Sequence, residues 1–303
     1  MSKKNLLLGG ILIILIVVAY LYHGPLKEWR ESLGQPKNFL ANVNVDEIEE
    51  ILVINNGQET ILEKSGENFK VSGTKDFYVK DRIAKEIISS LAEATEAKLE
   101  LVSNNKEKKN EFQTDENGFQ IKIYQSGKQV ADFIVGKMAP DYESIYISPN
   151  GADNTYIIEA DLRSPFNQSE WRNDEIFFSD KEKINKIRFQ YPTREFTIEK
   201  KDDKWQGTIP YGFAVSNEKI EEILNIMSNL TAAGIPEQDF SKSGLDQHLI
   251  IVQATGEGVD NTIMVGVADE DNSYYVKKAS GDNIYLITEE ERDELDKQIW
   301  ELR

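Results

Sequence analysis

The chain reads as an α+β protein: a single N-terminal transmembrane helix, then two tandem repeated domains of mostly antiparallel strands with one main helix each. Three observations carry this prediction. Residues 6–22 (LLLGGILIILIVVAYLY) form an unbroken apolar run. Apolar positions beyond Pro25 recur in the same order at a spacing of 136 residues. Within each copy the strands cluster before and after a helix, which argues against an alternating parallel βα sheet. The division that follows is an anchor at residues 1–24, a membrane-proximal linker at 25–40, a first repeat at 41–175 and a second at 176–303.

As a helix, the 17-residue run from Leu6 to Tyr22 spans roughly 25 Å, near the lower limit for a bilayer core. Asn5 and His23 complete the crossing at the interfaces, and Tyr20 and Tyr22 stand where aromatic rings favour the headgroup level. Lys3, Lys4 and the terminal amine place the N-terminus in the cytoplasm and the bulk of the chain beyond the membrane. Val17-Val18-Ala19 fits a signal-peptide cleavage site. The run stays apolar through Tyr20-Leu21-Tyr22, however, where such a peptide turns polar, so an uncleaved anchor is expected. Gly24 to Lys37 is then a linker broken by Pro25, Gly34 and Pro36.

Of the 303 residues, 40% are hydrophobic, enough for two cored domains after the anchor. Lys and Arg number 35 against 53 Asp and Glu, a net charge of −18. Without Lys3 and Lys4 the balance is 33 against 53, or −20. That charge excludes nucleic acid as an expected partner, and it reads first as a well-solvated surface. The absence of cysteine removes disulfides, thiolate nucleophiles and Cys-ligated metals. Extracellular eukaryotic domains usually carry disulfides, so a bacterial envelope is the expected setting.

The repeat begins with Ile48, Ile51, Val53, Leu62 and Phe69, matched by Ile184, Ile187, Phe189, Ile198 and Trp205. It continues through Phe77 with Phe213 and Val79 with Val215, then Ile87, Ile88 and Leu91 with Ile223, Leu224 and Met227. Later the spacing shortens: Gly136 meets Gly266, Tyr146 meets Tyr275, and Tyr156 meets Tyr285. One period this long means two whole domains, not a solenoid.

Each copy opens as a three-strand meander. Ile51–Ile54, Thr60–Leu62 and Phe69–Val71 are strands, separated by Asn55-Asn56-Gly57 and Ser65–Asn68, residues that tolerate positive φ. The second copy repeats this with turns at Pro192 and at Asp202-Asp203. A helix follows. Ile220, Ile223, Leu224, Met227 and Leu230 form one apolar stripe, with Ser216 as N-cap and Gly234 and Pro236 as the stop. Ile83, Ile87, Leu91 and Ala94 form the equivalent stripe in the first copy. Ser103 to Asn110 reads as a charged surface loop. Phe119–Tyr124 alternates with period 2 and starts a second meander through Val130–Val135, Ile145–Ile147 and Thr155–Ile158. Its counterparts are Leu249–Val252, Thr262–Val265, Tyr274–Val276 and Ile284–Ile287. Thr288 with Glu291 makes a capping box for a final helix.

The form of each copy resembles the DUF4340 family. The residues that carry the resemblance are Phe69 or Trp205 after a hairpin, Val135-Gly136-Lys137, the paired Tyr146 and Tyr156, and the Trp171-Arg172 pair closing the first copy. The family's "yGL" element looks like Ser243-Gly244-Leu245; the first copy departs from it with Glu111-Phe112-Gln113. The resemblance brings no catalytic residues. Some members are similar to proteins found beside ABC-type export systems of the gliding-motility kind, which implies an envelope accessory role.

No constellation argues for catalysis. The two histidines, His23 and His248, have no Cys or second His nearby, so no metal site or cofactor is expected. No G-x-S-x-G elbow accompanies His248. Asp269-Glu270-Asp271-Asn272 has the composition of a calcium loop but not EF-hand spacing, and reads as a hairpin turn. Gly136 and Gly266 are read as strand-end turns or bulges. Trp171 and Trp205 are read as core. The expected role is a non-catalytic scaffold or accessory subunit of the envelope, with envelope or transporter proteins as partners and strand addition at a sheet edge as one docking mode. The alternatives are a module binding a glycan or exported substrate in the cleft between the copies and a carboxylate-dependent envelope hydrolase.

Overall fold

A computed structural model describes residues 36–247 and 249–303. The expected anchor at 6–22, the linker up to residue 35 and His248 lie outside the described residues. Among the described residues, no helix is long and apolar enough to cross a membrane. The chain divides into two units: one runs up to Ser72 and from Arg82 to Ser169, the other comprises Gly73–Asp81 and Glu170–Arg303. The sequence reading placed a single cut between 175 and 176. The observed division falls six residues earlier and also transfers Gly73–Asp81 to the second unit.

The first unit contains β1 (Glu50–Asn55), β2 (Gln58–Ser65), β3 (Asn68–Val71), α1 (Asp81–Glu96), β4 (Leu99–Ser103), α2 (Lys109–Phe112), β5 (Phe119–Gln125), β6 (Lys128–Met138), β7 (Ile145–Pro149) and β8 (Thr155–Ile158). Its eight-stranded sheet has the order β3-β2-β1-β5-β6-β7-β8-β4, and its pairings are antiparallel. Asn56 (φ 50°) and Gly57 (φ 76°) make the β1–β2 turn that their left-handed tolerance predicts. Alternation in β5 buries Phe119, Ile121 and Ile123. The α1 stripe buries Ile83, Ile87, Leu91 and Ala94 as expected. Each large side chain in these sets stabilises by about 1.5–3 kcal/mol on burial. The carbonyls left open near the end of α1 are satisfied from a distance: Asn38 Nδ2 donates to Ala94 O at 2.7 Å and Ala97 O at 2.9 Å.

The second unit contains β9 (Glu175–Phe178), β10 (Ile184–Gln190), β11 (Glu195–Lys201), β12 (Lys204–Ile209), β13 (Phe213–Ala214), α3 (Asn217–Ser228), β14 (Asn229–Thr231), β15 (Ile250–Gly256), β16 (Val259–Ala268), β17 (Tyr274–Lys278), β18 (Tyr285–Ile287) and α4 (Glu289–Leu295). Its main sheet runs β13-β12-β11-β10-β15-β16-β17-β18, so seven strands follow the order of their counterparts in the first unit. The capping box of α4 forms: Glu291 N donates to Thr288 Oγ1 at 3.2 Å and Thr288 N to Glu291 Oε2 at 2.8 Å.

Two local expectations are corrected. Helix α3 stops at Ser228, short of Gly234, because Asn229 turns extended (φ −142°, ψ 93°). Leu230, the last residue of the predicted stripe, is instead buried in β14, which pairs with β9. Ser216 is the N-cap of α3 as expected, though without a side-chain bond; its backbone N–H donates to Leu302 O at 2.8 Å. The Ser103–Asn110 stretch is not wholly a surface loop. It forms a 3-10 turn at Lys106–Lys108 and then α2, which buries Lys109 and Phe112. Burial pushes the Lys109 ammonium below its ordinary range, against the raising influence of Asp153.

The transferred segment Gly73–Asp81 is tied into the second unit along its length. Asn173 N donates to Tyr78 O at 2.7 Å, and Lys80 Nζ lies 2.7 Å from Asp174 Oδ1. Phe77, 1% exposed, packs edge-on against Tyr285 with ring centres 5.8 Å apart. It shares its apolar core with Phe213, the residue 136 positions later.

Candidate functional site

Most residues singled out in the sequence are structural. Trp171 and Trp205 are buried at 9% and 6% exposure. Asp269 Oδ1 accepts from Asp271 N at 3.0 Å and Ser273 N at 2.8 Å, which closes the β16–β17 turn. Ser243-Gly244-Leu245 abuts β16, where Val267 N donates to Ser243 O at 2.9 Å. Gly244 is left-handed (φ 64°), and in the first unit Gln113 takes that conformation (φ 55°). The element therefore persists there as a shape, without its glycine. Among the described residues, no group of three or more His, Asp or Glu is arranged to hold a metal ion.

The exposed apolar residues point elsewhere. Trp300 is 71% exposed, Tyr211 53% and Ile209 48%, and Tyr211 and Trp300 line one recess of about 440 Å³ in the second unit. Local sequence places them. Ile299–Leu302 is a single 3-10 turn in which Ile299 and Leu302 turn inward, three residues apart, and Leu302 is fully buried. Trp300 is left on the outward side. Tyr211 stands in the short connection between β12 and β13.

The base of the recess is held rigidly. Arg194, just before β11, lies with its guanidinium 3.7 Å above the Tyr191 ring. Its Nη2 donates to Asp296 Oδ1 at 2.6 Å. Gln298 faces the guanidinium; with its amide turned over, its oxygen would accept from Nη1 and Nη2 at 3.3 and 3.2 Å. Arg194 Nε is buried without a hydrogen-bond acceptor. Tyr191 Oη donates to Leu295 O at 2.9 Å and accepts from Lys297 N at 3.0 Å, and burial pushes its phenol well above the ordinary range. Arg303 covers Tyr211 and Phe213, with 6.0 and 5.8 Å from the guanidinium carbon to the ring centres. A pinned base with protruding aromatic rings and arginines can bury much area at little entropic cost on contact.

Neither Trp300 nor Tyr211 was singled out in the sequence. One signal was available: with Ile299 and Leu302 three apart, a turn of helix leaves Trp300 off the apolar stripe. Arg194 and Gln298, 104 residues apart, gave none.

A search of curated proteins finds no match. Among solved structures, one similar chain is the crystal structure of a candidate DNA polymerase III beta subunit from Eubacterium rectale. It is 8% identical, with a TM-score of 0.15, over 82% of this chain and 58% of that one. A likeness at that level carries no argument about fold or role. The model of a domain of unknown function, DUF4340, matches in two overlapping segments, residues 71–248 and 205–303. The matched span covers well over half of the sequence, and the chain belongs to the DUF4340 family.

Proposed function

We propose that the chain is a membrane-tethered, non-catalytic docking subunit of the bacterial envelope, built from two copies of one unit and serving as an accessory to an ABC-type transport system. Residues 6–22 hold it to the membrane, and both units stand outside the cytoplasm. The observation that carries the docking role is the exposed Trp300–Tyr211 pair above its arginine-pinned base. Trp, Tyr and Arg are the residues that dominate binding energy at protein interfaces.

Five carboxylates are held as anions by neighbouring donors. Asp141 and Asp239 are held below the ordinary range by hydrogen bonds from Ser144 and Ser241. At Asp161 and Glu170 burial opposes the charge, but bonds from Ser164 and Arg172 outweigh it. Glu195 is lowered by Arg188.

The test is crosslinking and affinity purification of the full-length chain from its native membranes. Wild type is expected to bring down an envelope membrane protein, and a Tyr211→Ala/Trp300→Ala variant at least ~10-fold less of it. Equal recovery, or no envelope protein, rejects the docking role. A second reading has one observation in its favour: the recess volume of about 440 Å³ suits a small ligand, such as a sugar ring stacked on Trp300. Saturable quenching of tryptophan fluorescence by soluble cell-wall glycan fragments, lost in Trp300→Phe, would favour that reading.

A further inference from the structure

We infer that the outer edge of β4 in the first unit takes an extended, basic segment of a partner protein as an added strand, a second contact surface that goes beyond the docking reading above. β4 ends the sheet order. Its inner edge pairs with β8 through Leu99–Ile158, Glu100–Ile157 and Leu101–Tyr156. No strand among the described residues pairs with its outer edge. Such an edge presents unpaired N–H and C=O groups in register for another chain. Proteins usually blunt it, yet here two adjacent apolar side chains stand open, Leu101 at 47% and Val102 at 40% exposure.

A groove of about 880 Å³ crosses the start of this strand, lined by Glu100 and Leu101 of β4, Ile157 of β8 and the loop before β7. Its charge selects the occupant. Glu93, Glu96, Glu100, Asp141 and Glu159 line it, against Lys98 as the single base. A second copy of the chain would set two such grooves face to face and be repelled. The nucleic-acid backbone and anionic headgroups are repelled for the same reason. A segment with Lys or Arg at alternate positions meets the requirement. Period-2 alternation sends one set of side chains to the face that Glu100 shares with Ile157 and the other set, apolar, to the opposite face, onto Leu101. The five residues of β4 run about 17 Å, the length of a five- or six-residue partner strand.

The test uses the full-length chain and two synthetic peptides of equal charge, Lys-Val-Lys-Val-Lys-Val-Lys and Lys-Pro-Lys-Pro-Lys-Pro-Lys. Proline lacks the N–H and resists the strand, so only the first can add to the sheet. The valine peptide is expected to slow amide exchange within Glu100–Val102 by at least ~10-fold, and the proline peptide to leave it unchanged. A Glu96→Lys/Glu100→Lys variant is expected to bind the valine peptide at least ~10-fold more weakly, with Trp300→Ala binding it as wild type does. Equal binding of both peptides would reduce the site to bulk charge and overturn the inference, as would protection at other strands or no binding. The two readings fail separately. A partner captured through Trp300 with no protection at β4 leaves the docking role and removes the added strand, whereas protection at β4 with no partner captured through Trp300 does the reverse.

Discussion

A β-carbon at Gly136 would stand 2.2 Å from Phe112 O, and one at Gly266 would stand 2.0 Å from Ser243 O. Both glycines lie where strand register shifts, between β6 and β7 and between β16 and β17. The bulge was legible in the sequence. The reason for glycine was not, because the opposing carbonyl arrives from a loop more than 20 residues earlier. Backbone on both sides cannot yield cheaply. Gly136→Ala and Gly266→Ala should each lower stability by about 2–4 kcal/mol, measured as a fall in urea midpoint. An unchanged midpoint would mean that the loop moves aside freely. Charge is readable at this scale too. Asp161 accepts from Arg163 N at 3.0 Å and Ser164 N at 2.9 Å, which holds its folded pKa below the ordinary value despite burial. A depressed carboxylate stabilises above its unfolded pKa of about 4, and the benefit is lost as pH falls through the folded value. Wild type should therefore exceed Asp161→Asn in stability at neutral pH, with the gap closing below about pH 4. A gap that persists at lower pH would assign the difference to turn geometry and not to charge.

At the scale of elements, periodicity was decisive wherever it was local. The stripes of α1 and α3 and the alternation in β5 came through because each buries one face of a regular segment. What stayed hidden were segments of two to five residues, β4, β9, β13 and β14, whose strand character depends on distant partners. Leu230 shows the limit: its spacing fits the helix, and pairing with Phe177 makes it a strand residue. Phe77 shows another. By sequence it belongs to the first copy, and by packing to the core of the second unit. Phe77→Ala should cost about 3–5 kcal/mol, and the loss should fall on the second unit. Hydrogen exchange is expected to accelerate in β9, β17 and β18 and to stay near wild type in β1 and β2. Acceleration confined to β1–β3 would contradict the assignment of Gly73–Asp81.

For the whole molecule, a shared order of seven strands in two sheets and an acidic balance of −18 constrain how the chain can be held. That balance disfavours binding to anionic headgroups by charge. Under the proposed tethering, attachment falls to the apolar run at 6–22, where burying side chains in hydrocarbon supplies the driving force. The full-length chain should sediment with membranes and stay there through an alkaline carbonate wash, while a chain lacking residues 1–24 should be released. In spheroplasts, added protease should degrade both units and spare a cytoplasmic tag at the N-terminus, the orientation expected from Lys3 and Lys4. Recovery of a free chain whose first residue lies near Tyr20 would show that the run is a removed leader, and would leave the docking surfaces without the tether that confines them to one membrane face.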